Sequence, residues 1–227
     1  MKFLNLFLSF FFLSCLSCNQ DTALVESTQL FEEYYVRFLQ AEKELKAHAS
    51  FFEGDSIQNA KPKIFFGGVA FQGGGMQMRN LPKGVVRYSS TLEKADFISP
   101  FKFRYKNDLG ETIIEKIEMQ GIDDFFIKGD ISQSQGMTLS LNTELSDKES
   151  LVLLFSDEQN RAASIQIDGP SELLEHVINK EQTQRLQVGK GMLYLVKKQV
   201  NYREEKNRQI SSTIEFYSKT IEIEVKE

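Results

Sequence analysis

Two histidines, pairs of adjacent carboxylates, a glycine triplet and two cysteines are residues with chemistry to offer in this chain. The histidines are His48 and His176. A catalytic or metal-binding pair needs them to converge, and no H-x-x-x-H spacing sets two imidazoles on one face. The obvious acidic pairs are Asp123-Asp124 and Asp157-Glu158. A glycosidase needs two carboxylates facing each other across a cleft. Sequence neighbours on a strand point to opposite faces, so neither pair forms such a site alone. Asp157-Glu158-Gln159-Asn160 reads as a solvated hairpin turn. Weak calcium binding is the lesser alternative, because the oxygen ligands are present but the loop lacks a recognised calcium pattern.

Gly73-Gly74-Gly75 is followed by Met76-Gln77-Met78-Arg79 and not by the Gly-Lys-Ser/Thr of a phosphate loop. No helix follows it, as a dinucleotide fingerprint requires. The triplet reads as a turn or bulge where φ is positive, with Met76 and Met78 available to a ligand surface. These patterns lead us to expect no catalytic residue, no metal site and no cofactor, and a protein that is not an enzyme.

The cysteines carry a different message. Cys15 and Cys18 both lie in Leu13-Ser14-Cys15-Leu16-Ser17-Cys18, and no other cysteine follows. That excludes a disulfide framework, thiol catalysis and cysteine-based zinc sites in the body. Before them stands Lys2 and an apolar run from Phe3 to Leu13, about 11 residues long. A membrane-spanning helix needs about 20 apolar residues. A short basic segment before a short apolar one is the pattern of an export signal.

Leu16-Ser17-Cys18 resembles the lipobox of bacterial lipoproteins, in which a small residue precedes the lipidated cysteine. The resemblance implies a cleaved leader over residues 1–17, lipidation of Cys18 and a short lipidated tether over 18–26. Cys15 occupies the −3 place where that family prefers a branched apolar residue. It is also the alternative acceptor, at the cost of a shorter leader with Phe12 at its own −3 place. Asn19 after the cysteine implies retention at the outer membrane, with the periplasmic or surface face left open. Acylation by more than one chain gives stable anchoring.

Loss of the leader removes Lys2 and moves the formal charge from −5 to about −6. Such a body repels phosphate backbones, so nucleic acid is not an expected partner. Hydrophobic residues make up 41% of the chain, enough to bury a core.

Residues 24–48 read as one amphipathic helix. Leu24, Phe31, Phe38, Leu45 and Phe52 recur at intervals of seven, and Glu33–Arg37 and Glu42–Lys46 are spaced as helical ion pairs. From Pro62 the pattern turns to β. Phe101-Lys102-Phe103-Arg104-Tyr105-Lys106 alternates with period two, Asn107 to Gly110 is a turn, and Ile113 to Met119 returns. Sugar platforms favour Trp, which is absent; Phe101, Phe103 and Tyr105 fit a core face better. Leu151 to Phe155 is a continuous apolar run, Ala163, Ile165 and Ile167 alternate, and Ile221 to Val225 closes the chain. Lys197-Lys198, Arg203, Lys206 and Arg208 read as a basic but solvated hairpin tip between Tyr202 and Gln209.

The expected fold is mainly β: an N-terminal helix, then strands forming one or two sandwich-like domains. The boundaries are 27–121 for helix plus β-rich domain and 122–227 for a β-sandwich. On Glu149 to Asp157, Asp168-Gly169-Pro170 and the closing strands, the second stretch looks like an immunoglobulin-like module of bacterial surface proteins. The whole chain looks like uncharacterised envelope lipoproteins of Bacteroidota-type bacteria. The resemblance implies a location and an architecture. The function expected is a lipid-anchored interaction or structural module of the envelope, attached to the membrane and serving another envelope protein. The alternative is a lipoprotein that binds a glycan or another exported small molecule.

Overall fold

A computed structural model of the chain describes residues 28–227. The leader, Cys15, Cys18 and the tether over 18–26 lie outside those residues. Strand follows strand through the described chain, with one four-residue helix, α1 (Lys180–Thr183).

The first two strands are β1 (Gln29–Leu39) and β2 (Glu44–Gly54), joined as an antiparallel hairpin. They replace the helix expected over 24–48; residues 24–27 of that span are outside the described chain. The interval of seven has another origin. Phe38 faces Leu45 and Phe31 faces Phe52 across the ladder, so equal steps from the turn mimic a helical stripe. Within β1 the buried residues Tyr34, Val36 and Phe38 have period two; within β2 they are Leu45, Ala47, Ala49 and Phe51. Aromatic and β-branched side chains favour this pleated surface. The intervening turn places Lys43 at φ +51°. The expected helical pair Glu42–Lys46 does not form, and Lys46 reaches Glu44 at 2.6 Å instead.

The chain continues through β3 (Lys61–Pro62), β4 (Val69–Phe71), β5 (Gly74–Gly75), β6 (Gln77–Asn80) and β7 (Val86–Leu92). Gly73 has φ +86° in the turn between β4 and β5. The hairpin expected around Asn107 is β8 (Phe101–Lys106) with β9 (Thr112–Ile117). Then come β10 (Phe125–Ser132), β11 (Gly136–Leu141), β12 (Glu149–Asp157), β13 (Ala162–Asp168) and β14 (Glu175–Ile178). After α1 the chain ends in β15 (Gly189–Glu205), β16 (Arg208–Tyr217) and β17 (Ile221–Lys226).

Hydrogen bonding sorts these strands into two sheets. The larger runs β14-β11-β10-β17-β15-β16-β1-β2-β7-β6, with β12 on the other edge of β15, β13 on β12 and β3 on β2. The smaller runs β5-β4-β8-β9. Strand β15 is the branch point of the larger sheet. One edge pairs with β17 over Gly189–Leu193 and with β16 over Val196–Glu205, while Gly191–Gln199 pair with β12. At the break between β16 and β17, the Leu195 amide donates to Ser218 Oγ at 2.8 Å and the Ser218 amide donates to Leu195 O at 2.9 Å. This one-residue bulge shifts the inward-facing parity of the last strand.

The smaller sheet lays its alternating face on β1 and β2. Tyr34 meets Phe103 with centroids 4.7 Å apart, and Phe51 meets Tyr105 at 5.0 Å. Such tilted aromatic pairs add to the burial of their area. In the second half, Leu151, Leu153, Phe155, Leu139, Leu193 and Val225 are buried in the same continuous core.

Candidate functional site

The structure disperses the residues that the sequence marked for chemistry. His48 is on β2, stacked on Tyr35 with centroids 5.8 Å apart, and its Nδ1 lies 3.2 Å from Ser89 Oγ. His176 is buried on β14, toward the opposite end of the larger sheet, and burial lowers its pKa. Asp123 and Asp124 fasten the start of β10: Asn142 donates to Asp123 at 3.0 Å, and the Phe125 amide donates to Asp124 at 2.9 Å. Asp157 accepts the Gln159 and Arg161 amides at 2.9 and 2.8 Å and the Arg161 guanidinium at 2.6 Å, so it shapes the β12–β13 turn. Desolvation raises its pKa, but those donors outweigh it and hold the carboxyl below the ordinary range. Met78 is exposed and Met76 packs partly on the core. Phe101, Phe103 and Tyr105 are buried, in a core face. Among the described residues no group of three or more His, Cys, Asp or Glu could hold a metal ion.

The carboxylates that do converge are Glu32 and Glu115. Alternation puts Glu32 on the same inward face as Tyr34, Val36 and Phe38, and its side chain is fully buried. Arg208 of β16 grips it as a fork, Nε to Oε1 at 2.5 Å and Nη2 to Oε2 at 3.0 Å. Tyr105 of β8 donates at 2.9 Å, and Tyr34 donates to the other oxygen. Glu115 of β9 lies beyond Arg208 Nη2 at 3.4 Å and pairs with Arg203 of β15. Burial pushes the Glu115 carboxyl up, against the pull of Arg203 and Arg208. Burial and the Glu32 charge push both Tyr34 and Tyr105 well above the ordinary phenol range.

The expected solvated hairpin tip is present at Tyr202 and from Glu204 to Asn207, but the placing of Arg203 and Arg208 on it is corrected. Both arginines turn inward because strand parity carries them to the core face, where two buried carboxylates need counter-charges. Lys197 is a second correction. It is 1% exposed, with its Nζ 3.3 Å from Glu149 Oε2, 3.2 Å from Thr143 Oγ1 and 3.1 Å from Glu144 O. Sequence reasoning missed these groups; the available signal was a charge on the apolar parity of each strand.

These charges are satisfied inside the fold. Exposed apolar side chains gather at the end of the sheet formed by β14. That strand pairs only with β11 among the described strands. Val177 is 80% exposed there, with Leu173 and Leu174 leading into it, and Phe126 of β10 is exposed close by. Register sets Phe126, Ser140 and Glu175 in one row, with Lys128, Thr138 and Val177 in the next, on one face. Lys128 reaches Glu175 at 3.0 Å across that face.

No protein-family model matches this chain, and the curated proteins include no match to it.

Proposed function

We propose that the chain is a non-catalytic interaction module of the bacterial cell envelope, anchored at the outer membrane through lipid on Cys18. The observation that carries the interaction reading is the β14 edge. An unpaired strand edge offers a row of backbone donors and acceptors to an incoming strand. Exposed Leu173, Leu174 and Val177 supply the apolar contacts that give such an addition affinity. The partner is another envelope protein that presents an extended segment. The leader supports the anchor. Burial of Leu139 of β11, Leu151 and Leu153 of β12 and Leu193 of β15 in one core supports an immunoglobulin-like sandwich for residues 122–227.

The test has two arms. Metabolic acyl labelling and membrane fractionation compare the full chain with Cys18→Ala and Cys15→Ala. The expected result is loss of label and of membrane retention in Cys18→Ala alone; retained label there contradicts Cys18 as the acceptor. In the second arm, Val177→Lys places a charge on the β14 edge. Loss of the envelope partner with unchanged anchoring is expected, and unchanged partner recovery contradicts the edge as the docking surface.

A further inference from the structure

The outer face of the larger sheet is made by the residues that alternate with the core positions of β1, β2, β6, β7 and β16. Register places Tyr35 opposite His48, His48 opposite Ser89 and Ser89 opposite Gln77. On one side of that row Arg37 stands opposite Lys46. On the other side Arg87 stands opposite Arg79. Like charges directly opposed in a ladder are destabilising. This face carries two such pairs, in a chain whose formal charge is −5.

Among the four cations the local acids pair only with Lys46. Glu44 takes Lys46 at 2.6 Å. Glu215, opposite Arg37 across β16, accepts the Tyr35 and Tyr217 hydroxyls at 2.7 and 3.1 Å and lies 3.7 Å from Lys198. Glu33 is exposed and stands opposite Ser50. Arg79 has only Gln77 Oε1 at 3.4 Å. Arg87 makes no ion pair among the described residues, and Arg37 Nε is buried without an acceptor. A groove of about 450 Å³ runs over this face, lined by Glu33, Tyr35, His48, Ser50, Arg87 and Thr213 among others.

We propose that this face binds a phosphate-type oxyanion, seated in the groove on Arg87 beside the Tyr35–His48 stack, with Arg37 adding positive charge from the far side of that row. Guanidinium forks match the oxygen geometry of such anions. An anion there also offsets the opposed Arg79–Arg87 pair. The His48 imidazole, held below its ordinary range by burial and then by Arg87, Arg37, Arg79 and Lys46, becomes easier to protonate when that charge is offset. The site is independent of the Cys18 anchor and of the β14 edge, so failure of either leaves it standing.

The experiment follows the two histidine ring signals by NMR in the full chain, held in a neutral detergent, over a pH series. The probes are inorganic phosphate and glycerol 3-phosphate, against chloride at matched ionic strength. His176, remote on β14, is the internal reference. Saturable binding that raises the His48 midpoint and leaves His176 unmoved is expected. Arg87→Ala should weaken it by about tenfold or more, the scale of one lost charge-assisted hydrogen bond. Arg104→Ala, exposed on β8 in the smaller sheet, should leave it unchanged. Binding of both probes assigns capture of free phosphate; binding of the ester alone assigns a phosphorylated headgroup or sugar. No movement of His48 with either probe, an equal response to chloride, or full affinity in Arg87→Ala overturns the proposal.

Discussion

Arg208 grips Glu32 through two guanidinium nitrogens, joining positions 176 residues apart in sequence. The carboxylate is fully buried, and its remaining donors are Tyr34 from its own strand and Tyr105 from the smaller sheet. The cluster therefore ties β1 and β16 to the sheet that covers them. Such a buried pair is costly to break and less costly to replace as a whole.

Removal of one partner should show that asymmetry. Arg208→Met leaves Glu32 buried without its main counter-charge, which costs about 3–5 kcal/mol. Glu32→Leu combined with Arg208→Met should recover much of that loss. Urea unfolding of the two single variants and the double variant measures the coupling. A double variant that loses the sum of the single effects contradicts a direct pair.

Alkaline pH should weaken the fold through the tyrosines. Burial is the first cause that raises the phenols of Tyr34, Tyr35, Tyr105 and Tyr217. A raised folded pKa means that the unfolded chain releases protons first. The stabilisation is thus full below about pH 10, the ordinary phenol value, and falls as pH rises above it. Lys197, lowered by burial, works in the opposite direction. The specific expectation is a shallower loss of urea midpoint above pH 10 in Tyr34→Phe and Tyr105→Phe. An unchanged slope in both variants contradicts the assignment.

Parts of this architecture were legible in the chain and parts were not. Phe101 to Lys106 alternates strictly and is followed by turn residues, so β8 and β9 could be read locally. The β1–β2 hairpin could not, because Tyr34-Tyr35 blurs the alternation and the turn preserves an interval of seven. Glu32 and Arg208 meet only through parallel pairing of β1 with β16, a register set by packing over the whole domain. The face around His48 was hidden for the same reason. Arg37, Arg79 and Arg87 are scattered in sequence and share a face only when β1, β2, β7 and β6 are laid side by side.

Close approach at Gly169 gives a backbone test. A Cβ added there would lie 1.9 Å from the Ser146 carbonyl oxygen, where the chain leaves β13. Gly169→Ala should cost about 1–3 kcal/mol by overpacking. Gly75→Ala, with nothing within 4 Å, should stay within about 0.5 kcal/mol of the parent. Thermal unfolding compares them, and equal stability of the two variants contradicts the packing at Ser146.

The β14 edge is the most direct point at which to test the interaction reading. A photo-crosslinking residue is placed at Val177 in the full chain in living cells, and in parallel at Glu111 in the exposed β8–β9 turn. The account predicts a discrete adduct with one envelope protein from position 177 and none from position 111, lost when Leu173 and Leu174 are both changed to Ser. No adduct from position 177, or the same adducts from both positions, would contradict it.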